Sequence, residues 1–146
     1  MTPRQIDEVA PVIVLSRDAR DAILTHAREE APHEACGVLA GTYGRTLSRV
    51  ETTYPTPNVA SSPRVTYEID PEQLFETVET IESAGTEVVG FYHSHPTGPQ
   101  RPSPTDEAQA TWEEYSYLIV DRRDDPDLGS WRWTGTDFEE ERLEIQ

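Results

Sequence analysis

The 146-residue chain contains no lysine, and all twelve of its basic residues are arginine. Its 28 acidic residues give a formal net charge of −16. Such a surface repels the phosphates of nucleic acids, so DNA and RNA are excluded as expected partners. The excess negative charge destabilises a compact chain in dilute salt, whereas molar salt screens it over about 3 Å. We therefore expect a halophilic archaeon as the source; an ordinary acidic protein is the alternative.

Cysteine and long apolar runs are also scarce. Cys36 is the one cysteine, so no disulfide can form within the chain, which agrees with a reducing cell interior. No apolar run is long enough to span a membrane, and residues 1–11 lack the apolar core of a signal peptide. We expect a cytoplasmic protein without a membrane partner, folded as one domain over residues 1–146.

Hydrophobic periodicity predicts a mixed α/β domain. The predicted strands are Pro11–Leu15, Cys36–Gly41, Thr46–Pro55, Arg64–Asp70, Glu87–His95, Tyr115–Asp121 and Gly129–Gly135. The predicted helices are Arg17–Glu30 after a Ser16 cap, a segment that begins at Pro71 after an Asp70 cap, and Ser103–Glu114. A polar loop is predicted over residues 122–127, and Phe138–Ile145 fits either a strand or a helix.

Two histidines lie where the predicted strand Glu87–His95 ends. Side chains alternate along a strand, so His93 and His95 share one face and Ser94 points away. Asp106 follows after a proline-rich return segment. Two imidazoles and a carboxylate are typical of an open zinc site that keeps a fourth position for water. In the alternative interpretation Ser103 and Asp106 only cap a helix, and the histidines lie at the surface; a helix start that carries Asp106 to the metal would satisfy both.

The complete pattern, "HSHPTGPQRPSPTD", is more specific than its parts. His-x-His, seven residues, then Ser-x-x-Asp resembles the JAMM motif of the MPN-plus metalloproteases. The matching positions are His93, His95, Ser103 and Asp106. The resemblance implies the MPN (JAMM) fold, an α/β domain with a mixed, curved β-sheet and flanking helices.

The family also requires a glutamate upstream, at the start of a strand. In "HEACGVLAG" this position is Glu34, directly before the predicted strand at Cys36. Glu29 and Glu30 are nearby competitors, but they belong to the tail of the preceding helix. The resemblance therefore favours Glu34.

The resemblance also implies a role for each matched residue. His93, His95 and Asp106 would hold one Zn²⁺ per chain. Glu34 would act as general acid and base, taking a proton from the attacking water and passing it to the leaving amine. Ser103 would stabilise the oxyanion of the tetrahedral intermediate.

The implied activity is that of a desampylase-like isopeptidase. It would hydrolyse the bond after the C-terminal Gly-Gly of ubiquitin-like small archaeal modifier proteins, in conjugates and also in linear fusions, so these proteins are the expected partners. One alternative is a peptidase that trims an amino acid from the C-terminus of a sulfur-carrier protein. The other is a non-catalytic MPN scaffold, which the complete motif disfavours.

The remaining chemically distinctive residues have ordinary structural interpretations. Cys36 is expected to be a small buried strand residue, and Ser94 to brace the sheet. His26 and His33 are expected at the surface. The three tryptophans are expected in the core or in groove walls: Trp112, Trp131 and Trp133.

Overall fold

A computed structural model describes residues 11–122 and 127–146. Within them, seven strands form a closed barrel in the order β1-β3-β2-β4-β5-β6-β7. The strands are β1 (Val12–Leu15), β2 (Cys36–Thr42), β3 (Leu47–Thr56), β4 (Glu87–His95), β5 (Ser116–Asp121), β6 (Asp127–Trp133) and β7 (Phe138–Ile145). The helices are α1 (Arg17–Glu30), α2 (Pro71–Ser83) and α3 (Pro104–Gln109). The predicted α/β domain is confirmed, with its curved sheet closed on itself.

The first strand closes the barrel. β1 pairs in parallel with β3 on one side and with β7 on the other. Alternate residues of the strands belong to two apolar clusters, one of which includes residues of α1 and the other a residue of α2. Both faces of β4 are therefore covered, which explains why this strand is apolar on both faces until it reaches the histidines.

The two longer helices begin where the sequence predicts. The Ser16 hydroxyl accepts the backbone N–H of Ala19 at 3.1 Å and caps α1. The Asp70 carboxylate caps α2, and Pro71 occupies the first helical position, where a missing N–H costs nothing. Gly85 ends α2 with φ of +82°, a conformation that favours glycine.

The structure corrects two of the predicted segments and decides between the alternatives for a third. The predicted helix Ser103–Glu114 ends at Gln109, because the Tyr117 hydroxyl accepts the backbone N–H groups of Thr111 and Trp112. The ambiguous segment Phe138–Ile145 is strand β7, paired with β1 and β6. The predicted strand Arg64–Asp70 is wrong as a sheet strand, since it pairs with no neighbour in the described barrel.

Two expectations lie partly or wholly on residues that are not described. The absence of a signal peptide concerns mainly residues 1–10, and the predicted polar loop includes residues 123–126. None of the helices in the described ranges has both the length and the apolar character needed to cross a bilayer.

A buried ion pair connects the last strands to the β2–β3 turn. Arg132 Nε lies 2.9 Å from Glu141 Oε1, and both side chains are almost completely buried. The guanidinium also donates to the carbonyls of Gly44, Arg45 and Glu114. Because every part of this guanidinium is hydrogen-bonded, the barrel can hold a charge away from water.

We expect Arg132→Leu to lower the free energy of unfolding by about 3–5 kcal/mol, because it leaves the Glu141 charge buried and unpaired. Urea unfolding at fixed salt measures this. The matched control is Arg142→Leu, which removes an exposed pair with Glu144 and should cost less than about 1 kcal/mol. Equal losses in the two variants would contradict the structural role assigned to Arg132.

Candidate active site

The end of β4 presents two imidazoles to one point. His93 Nε2 and His95 Nε2 lie 3.2 Å apart, and both residues are buried. The His95 Nδ1 lies 2.6 Å from the carbonyl oxygen of Pro99. A carbonyl only accepts, so Nδ1 carries a proton, and Nε2 is the nitrogen directed towards His93 and Asp106. Such a backbone contact is the usual way in which a metal-binding histidine is oriented.

Asp106 reaches both imidazoles from the start of α3. Its Oδ2 lies 3.1 Å from His95 Nε2 and 3.2 Å from His93 Nε2. The same oxygen accepts the backbone N–H of Ser103 at 2.9 Å, while the Ser103 hydroxyl accepts the backbone N–H of Asp106. These two bonds form a capping box. The helix-cap interpretation and the interpretation that places Asp106 beside the histidines therefore describe one arrangement.

Glu34 approaches the histidines from the neighbouring strand. It precedes β2, whose Cys36 pairs with His93 in the antiparallel register. Ligand atoms of Glu34, His93 and His95 all lie within 4.8 Å of one another. Glu34 Oε1 is buried and has no hydrogen-bond partner among the described residues. Two carboxyl groups thus lie beside the imidazole pair, and Asp106 is the one within hydrogen-bond distance of both rings.

The alternative glutamates lie elsewhere. Glu29 and Glu30 are exposed at the end of α1, whereas Glu34 is buried. The structure therefore brings Glu34, His93, His95 and Asp106 together, and Ser103 lines a cavity that Glu34 and His95 also line.

The two carboxyl groups experience opposite electrostatic effects. Burial raises the pKa of Glu34 to about 8, with Asp106 reinforcing and His95 opposing this shift. Burial also disfavours the Asp106 anion, but hydrogen bonds and charge from the two imidazoles and the Ser103 N–H hold its pKa well below the usual range. One carboxyl group is therefore a permanent anion, and the other titrates near neutrality. Such a separation is typical of sites with an anionic ligand and an acid–base group.

The histidines are also shifted in different directions. Burial lowers the pKa of His93, because the charged imidazolium is poorly solvated there. For His95, burial opposes protonation, but the contacts with Asp106 and the Pro99 carbonyl raise the pKa overall. A neutral His93 is consistent with a ligand that offers a lone pair.

Two residues beside the site, Tyr67 and Asn58, lie outside the sequence motif and were not predicted from it. The Tyr67 ring stacks on His93 with centroids 4.5 Å apart and 24° between the planes. Asn58 Nδ2 donates to the carbonyls of Glu34 and Thr66, at 3.0 Å each. Both contacts join residues distant in sequence, so no local spacing could have identified them.

Asn58 organises the segment that follows β3. Its Oδ1 accepts the backbone N–H groups of Ala60 and Glu68, at 3.0 and 3.1 Å. The backbone N–H of Glu34 in turn donates to the carbonyl of Pro63 at 2.7 Å. Residues 58–68, which we call the Asn58 loop, are therefore fastened to the backbone of Glu34.

Two cavities open beside these residues. The first, of about 320 Å³, is largely aromatic, and we call it the aromatic cavity; its walls include Tyr67, Ile69, Leu74, Phe91, Trp112 and Tyr117. The second, of about 350 Å³, lies between the Asn58 loop and the return loop of residues 96–103, and we call it the arginine cleft. Its lining includes Glu34, His95 and Ser103 together with Arg64, Val65 and Arg101.

The other singled-out residues are structural. Cys36 is buried beside Thr56, and burial raises the pKa of its thiol to about 11, which disfavours the reactive thiolate. The Ser94 hydroxyl accepts the backbone N–H of Ala35 at 2.8 Å, so the expected bracing role is confirmed. His33 is exposed as predicted, but the surface prediction for His26 is wrong. His26 is half-buried, and its Nδ1 lies 2.7 Å from the Tyr92 hydroxyl.

The tryptophans occupy core and wall positions as expected. Trp133 belongs to the apolar cluster under α2, and Trp112 lines the aromatic cavity. Trp131 donates from Nε1 to the carbonyl of Gln100 at 3.3 Å and so supports the return loop.

Residues 16–134 match the family of prokaryotic homologues of the JAB domain. The chain belongs to this family. It is 47% identical to the desampylase of Haloferax volcanii over 137 residues, which cover 90% of this chain and 95% of that protein. It is 37% identical to a CysO-cysteine peptidase of Mycobacterium tuberculosis over 113 residues, 77% of this chain and 75% of that protein. A solved structure from Desulfitobacterium hafniense is similar, with a TM-score of 0.84, 32% identity and 92% of each chain covered. The predicted JAMM-family hydrolase with an MPN fold is thus confirmed.

The proton on Glu34 gives a stability prediction for the metal-free protein. Its pKa is about 8 in the folded state and has an ordinary value of 4.5. Between these values the folded state binds more protons, so stability is lost as pH rises through about 8. Glu34→Gln mimics the neutral side chain and removes this loss. We therefore expect the variant to gain stability relative to the wild type on going from about pH 5 to about pH 9.

Urea unfolding of both proteins with chelator present measures the effect at the two pH values. Glu30→Gln, an exposed change four residues upstream, is the matched control and should show no such trend. A difference between wild type and Glu34→Gln that does not vary with pH would contradict the raised pKa.

Proposed function

We propose that the protein is a zinc-dependent isopeptidase that hydrolyses the bond after the C-terminal Gly-Gly of ubiquitin-like small archaeal modifier proteins. The observation that carries the proposal is the convergence of His93 Nε2, His95 Nε2 and Asp106 Oδ2 within 3.2 Å of one another. Beside them lies Glu34, whose buried Oε1 has no partner among the described residues. Similarity to the Haloferax desampylase supports the substrate class.

The three converging side chains fit zinc. Two imidazole nitrogens and one carboxylate oxygen form a donor set that is typical of catalytic zinc, with a position left open. The Pro99 carbonyl fixes the tautomer of His95, and the Ser103 N–H orients the Asp106 carboxylate. Bound zinc would polarise the substrate carbonyl and supply a water with a pKa near 7. We propose these three residues as the ligands, rather than the set that includes Glu34.

Glu34 is proposed as the general acid and base. Its buried Oε1 has no competing donor among the described residues, so it is available to accept a proton from the attacking water. The raised pKa belongs to the metal-free site; the charge of bound zinc would lower it, so that the group can take that proton and then release it to the leaving amine. The backbone N–H of Glu34 donates to the Pro63 carbonyl, and the backbone carbonyl of Glu34 accepts from Asn58 Nδ2. These two bonds fix the backbone that carries the Glu34 side chain.

Ser103 is proposed to stabilise the oxyanion. Its hydroxyl oxygen already accepts the N–H of Asp106, which leaves the hydroxyl hydrogen free to be donated into the arginine cleft. Loss of one such donor commonly costs about 10²–10³ in rate.

The segment that contains Tyr67 is suited to bind an extended tail. The carbonyl of Thr66 and the N–H of Glu68 are bonded to Asn58, and the carbonyl of Glu68 accepts from Val59. The backbone groups of the alternate residues, Tyr67 and Ile69, make no hydrogen bond to the described chain. Alternate residues of an extended segment point their backbone groups to opposite sides, so one edge is free for another strand.

We propose that the modifier tail pairs with this edge by strand addition. Such pairing would explain why Arg64–Asp70 alternates like a strand but has no partner in the barrel. The aromatic cavity, which Tyr67 and Ile69 line, would then receive side chains that precede the Gly-Gly.

Three substitutions separate the proposed roles. We expect Glu34→Gln to abolish hydrolysis of a modifier conjugate while one zinc per chain is retained, because the ligands are intact. His95→Ala should abolish hydrolysis and weaken zinc binding. Ser103→Ala should keep zinc and lose about 10²–10³ in kcat. Zinc content by metal analysis and cleavage of a purified conjugate in concentrated salt measure these outcomes.

His33→Ala, an exposed change outside the site, is the matched control for His95→Ala. A wild-type protein that binds zinc yet leaves the conjugate intact would overturn the proposed function. Loss of zinc in Glu34→Gln would instead show that Glu34 is a ligand.

Strand addition gives a separate prediction. A tail peptide that is N-methylated at a residue pairing with Tyr67 loses a donor and gains a clash, so its affinity should fall by roughly tenfold or more. Methylation at the next residue, whose N–H points away, is the control and should have little effect. Equal affinities for the two methylated peptides, measured by fluorescence anisotropy with Glu34→Gln, would exclude pairing at this edge.

A second candidate function has a specific observation in its favour. The similarity to a CysO-cysteine peptidase supports removal of a single amino acid from a carrier-protein tail. The same four residues would serve both reactions, so the leaving group alone distinguishes them. Competition between a lysine-linked conjugate and a tail that ends in one extra amino acid decides which has the higher kcat/KM.

A further inference from the structure

Each wall of the arginine cleft carries one guanidinium. Arg64 belongs to the Asn58 loop, and Arg101 belongs to the return loop of residues 96–103. Both residues are exposed, and both line the cavity that also contains Glu34 and His95. Apart from the site residues themselves, these arginines are the only ionisable side chains among the lining residues.

The backbone beside each arginine is anchored to the site. Arg64 directly follows Pro63, whose carbonyl accepts the N–H of Glu34 at 2.7 Å. Arg101 follows Gln100, whose carbonyl accepts the indole N–H of Trp131. Two residues later comes Ser103, which is bonded to Asp106.

Neither guanidinium has a hydrogen-bond or ion-pair partner among residues 11–122 and 127–146. In the described parts of the chain, neither lies within 4.0 Å of a carboxylate. This matters because the chain has 28 acidic residues and only twelve arginines. A substrate carboxylate near this surface would otherwise meet mostly negative charge.

Given the proposed function, the arginine cleft lies on the leaving-group side of the bond that is hydrolysed. Glu34 and Ser103 line the arginine cleft and not the aromatic cavity, whereas Tyr67 lines the aromatic cavity and not the cleft. Glu34 must reach the leaving nitrogen to protonate it. The leaving group therefore belongs in the arginine cleft, and the modifier tail belongs on the Tyr67 side.

We propose that Arg64 and Arg101 form a carboxylate-binding subsite for the leaving group. Guanidinium groups bind carboxylates through paired, charge-assisted hydrogen bonds. The carboxylate has two possible sources, acidic side chains that flank the acceptor lysine or the α-carboxylate of a single released amino acid. This inference rests on the proposed function for the direction of the substrate, and it adds a preference to it.

The test compares matched substrates at one fixed salt concentration. In the first pair the modifier tail is joined to a lysine, which is flanked by Asp and Glu in the charged member and by Asn and Gln in the neutral member. The other pair ends the tail in one extra amino acid, as the free acid or as its amide. We expect the charged member of at least one pair to have a roughly fivefold higher kcat/KM, expressed mainly in KM, from two exposed charge pairs.

The variant Arg64→Gln/Arg101→Gln should reduce that ratio to about one. The exposed Arg49→Gln on β3, outside both cavities, is the matched control and should keep the wild-type ratio. A preference seen only with the flanked lysines would identify acidic side chains as the source of the bound carboxylate. A preference seen only with the single-residue substrates would identify the α-carboxylate. Ratios of one for both pairs in the wild type, or a ratio that survives in the double variant, would overturn the subsite.

A binding measurement keeps this test independent of hydrolysis. Fluorescent lysine peptides with acidic or neutral flanks, and one amino acid as free acid or amide, are titrated against zinc-loaded Glu34→Gln with and without the two arginine changes. We expect the arginine changes to weaken the charged ligand by roughly fivefold. Equal affinity for charged and neutral ligands contradicts the subsite. Intact conjugate in every hydrolysis assay contradicts the proposed function instead.

Discussion

The contact on which the site depends is made by one carboxylate oxygen. Asp106 Oδ2 accepts the backbone N–H of Ser103, the residue that caps α3, and lies within 3.2 Å of two imidazole nitrogens. A helix start needs an acceptor in any case, so the structure uses a cap to place an anion against the end of β4. That anion stays charged although it is buried, because the N–H and the imidazoles stabilise it. Its charge also helps to keep the neighbouring Glu34 protonated.

Glu34 contributes the opposite property from a different part of the barrel. It lies where β2 begins, and the β2–β4 register places that point beside His93. The Asn58 loop is bonded to the Glu34 backbone, and burial of the Glu34 side chain is the main cause of its raised pKa. The site thus holds the Asp106 anion beside Glu34, whose pKa is raised. The pKa values differ because Asp106 accepts hydrogen bonds from the Ser103 N–H and the imidazoles, whereas the buried Glu34 Oε1 accepts none from the described residues.

The sequence predicts local features of this arrangement better than distant ones. His93 and His95 share a face because strands alternate, and the α1 and α2 caps follow from neighbouring residues. The closeness of Asp106 and the choice of Glu34 required the family resemblance, since loop paths and sheet register are not visible in spacing. Asn58, Tyr67 and the Arg132–Glu141 pair had no local signal at all, because their contacts join distant segments. The alternating pattern of Arg64–Asp70 predicted a strand, and the prediction was wrong because this segment is bonded to Asn58 and Val59 instead of to a strand of the barrel.

The central site residues are held by the barrel and its elements, whereas the residues proposed to contact substrate lie on loops. The four central side chains come from a strand end, a strand start and a helix start, all held by the closed barrel. The residues proposed to contact the two halves of a substrate lie on the Asn58 loop and the return loop. Loops tolerate substitution far better than paired strands, so changes there can alter the leaving group without disturbing the metal ligands. Under the proposed subsite, the preference for a leaving group that carries a carboxylate lies in Arg64 and Arg101 rather than in the motif.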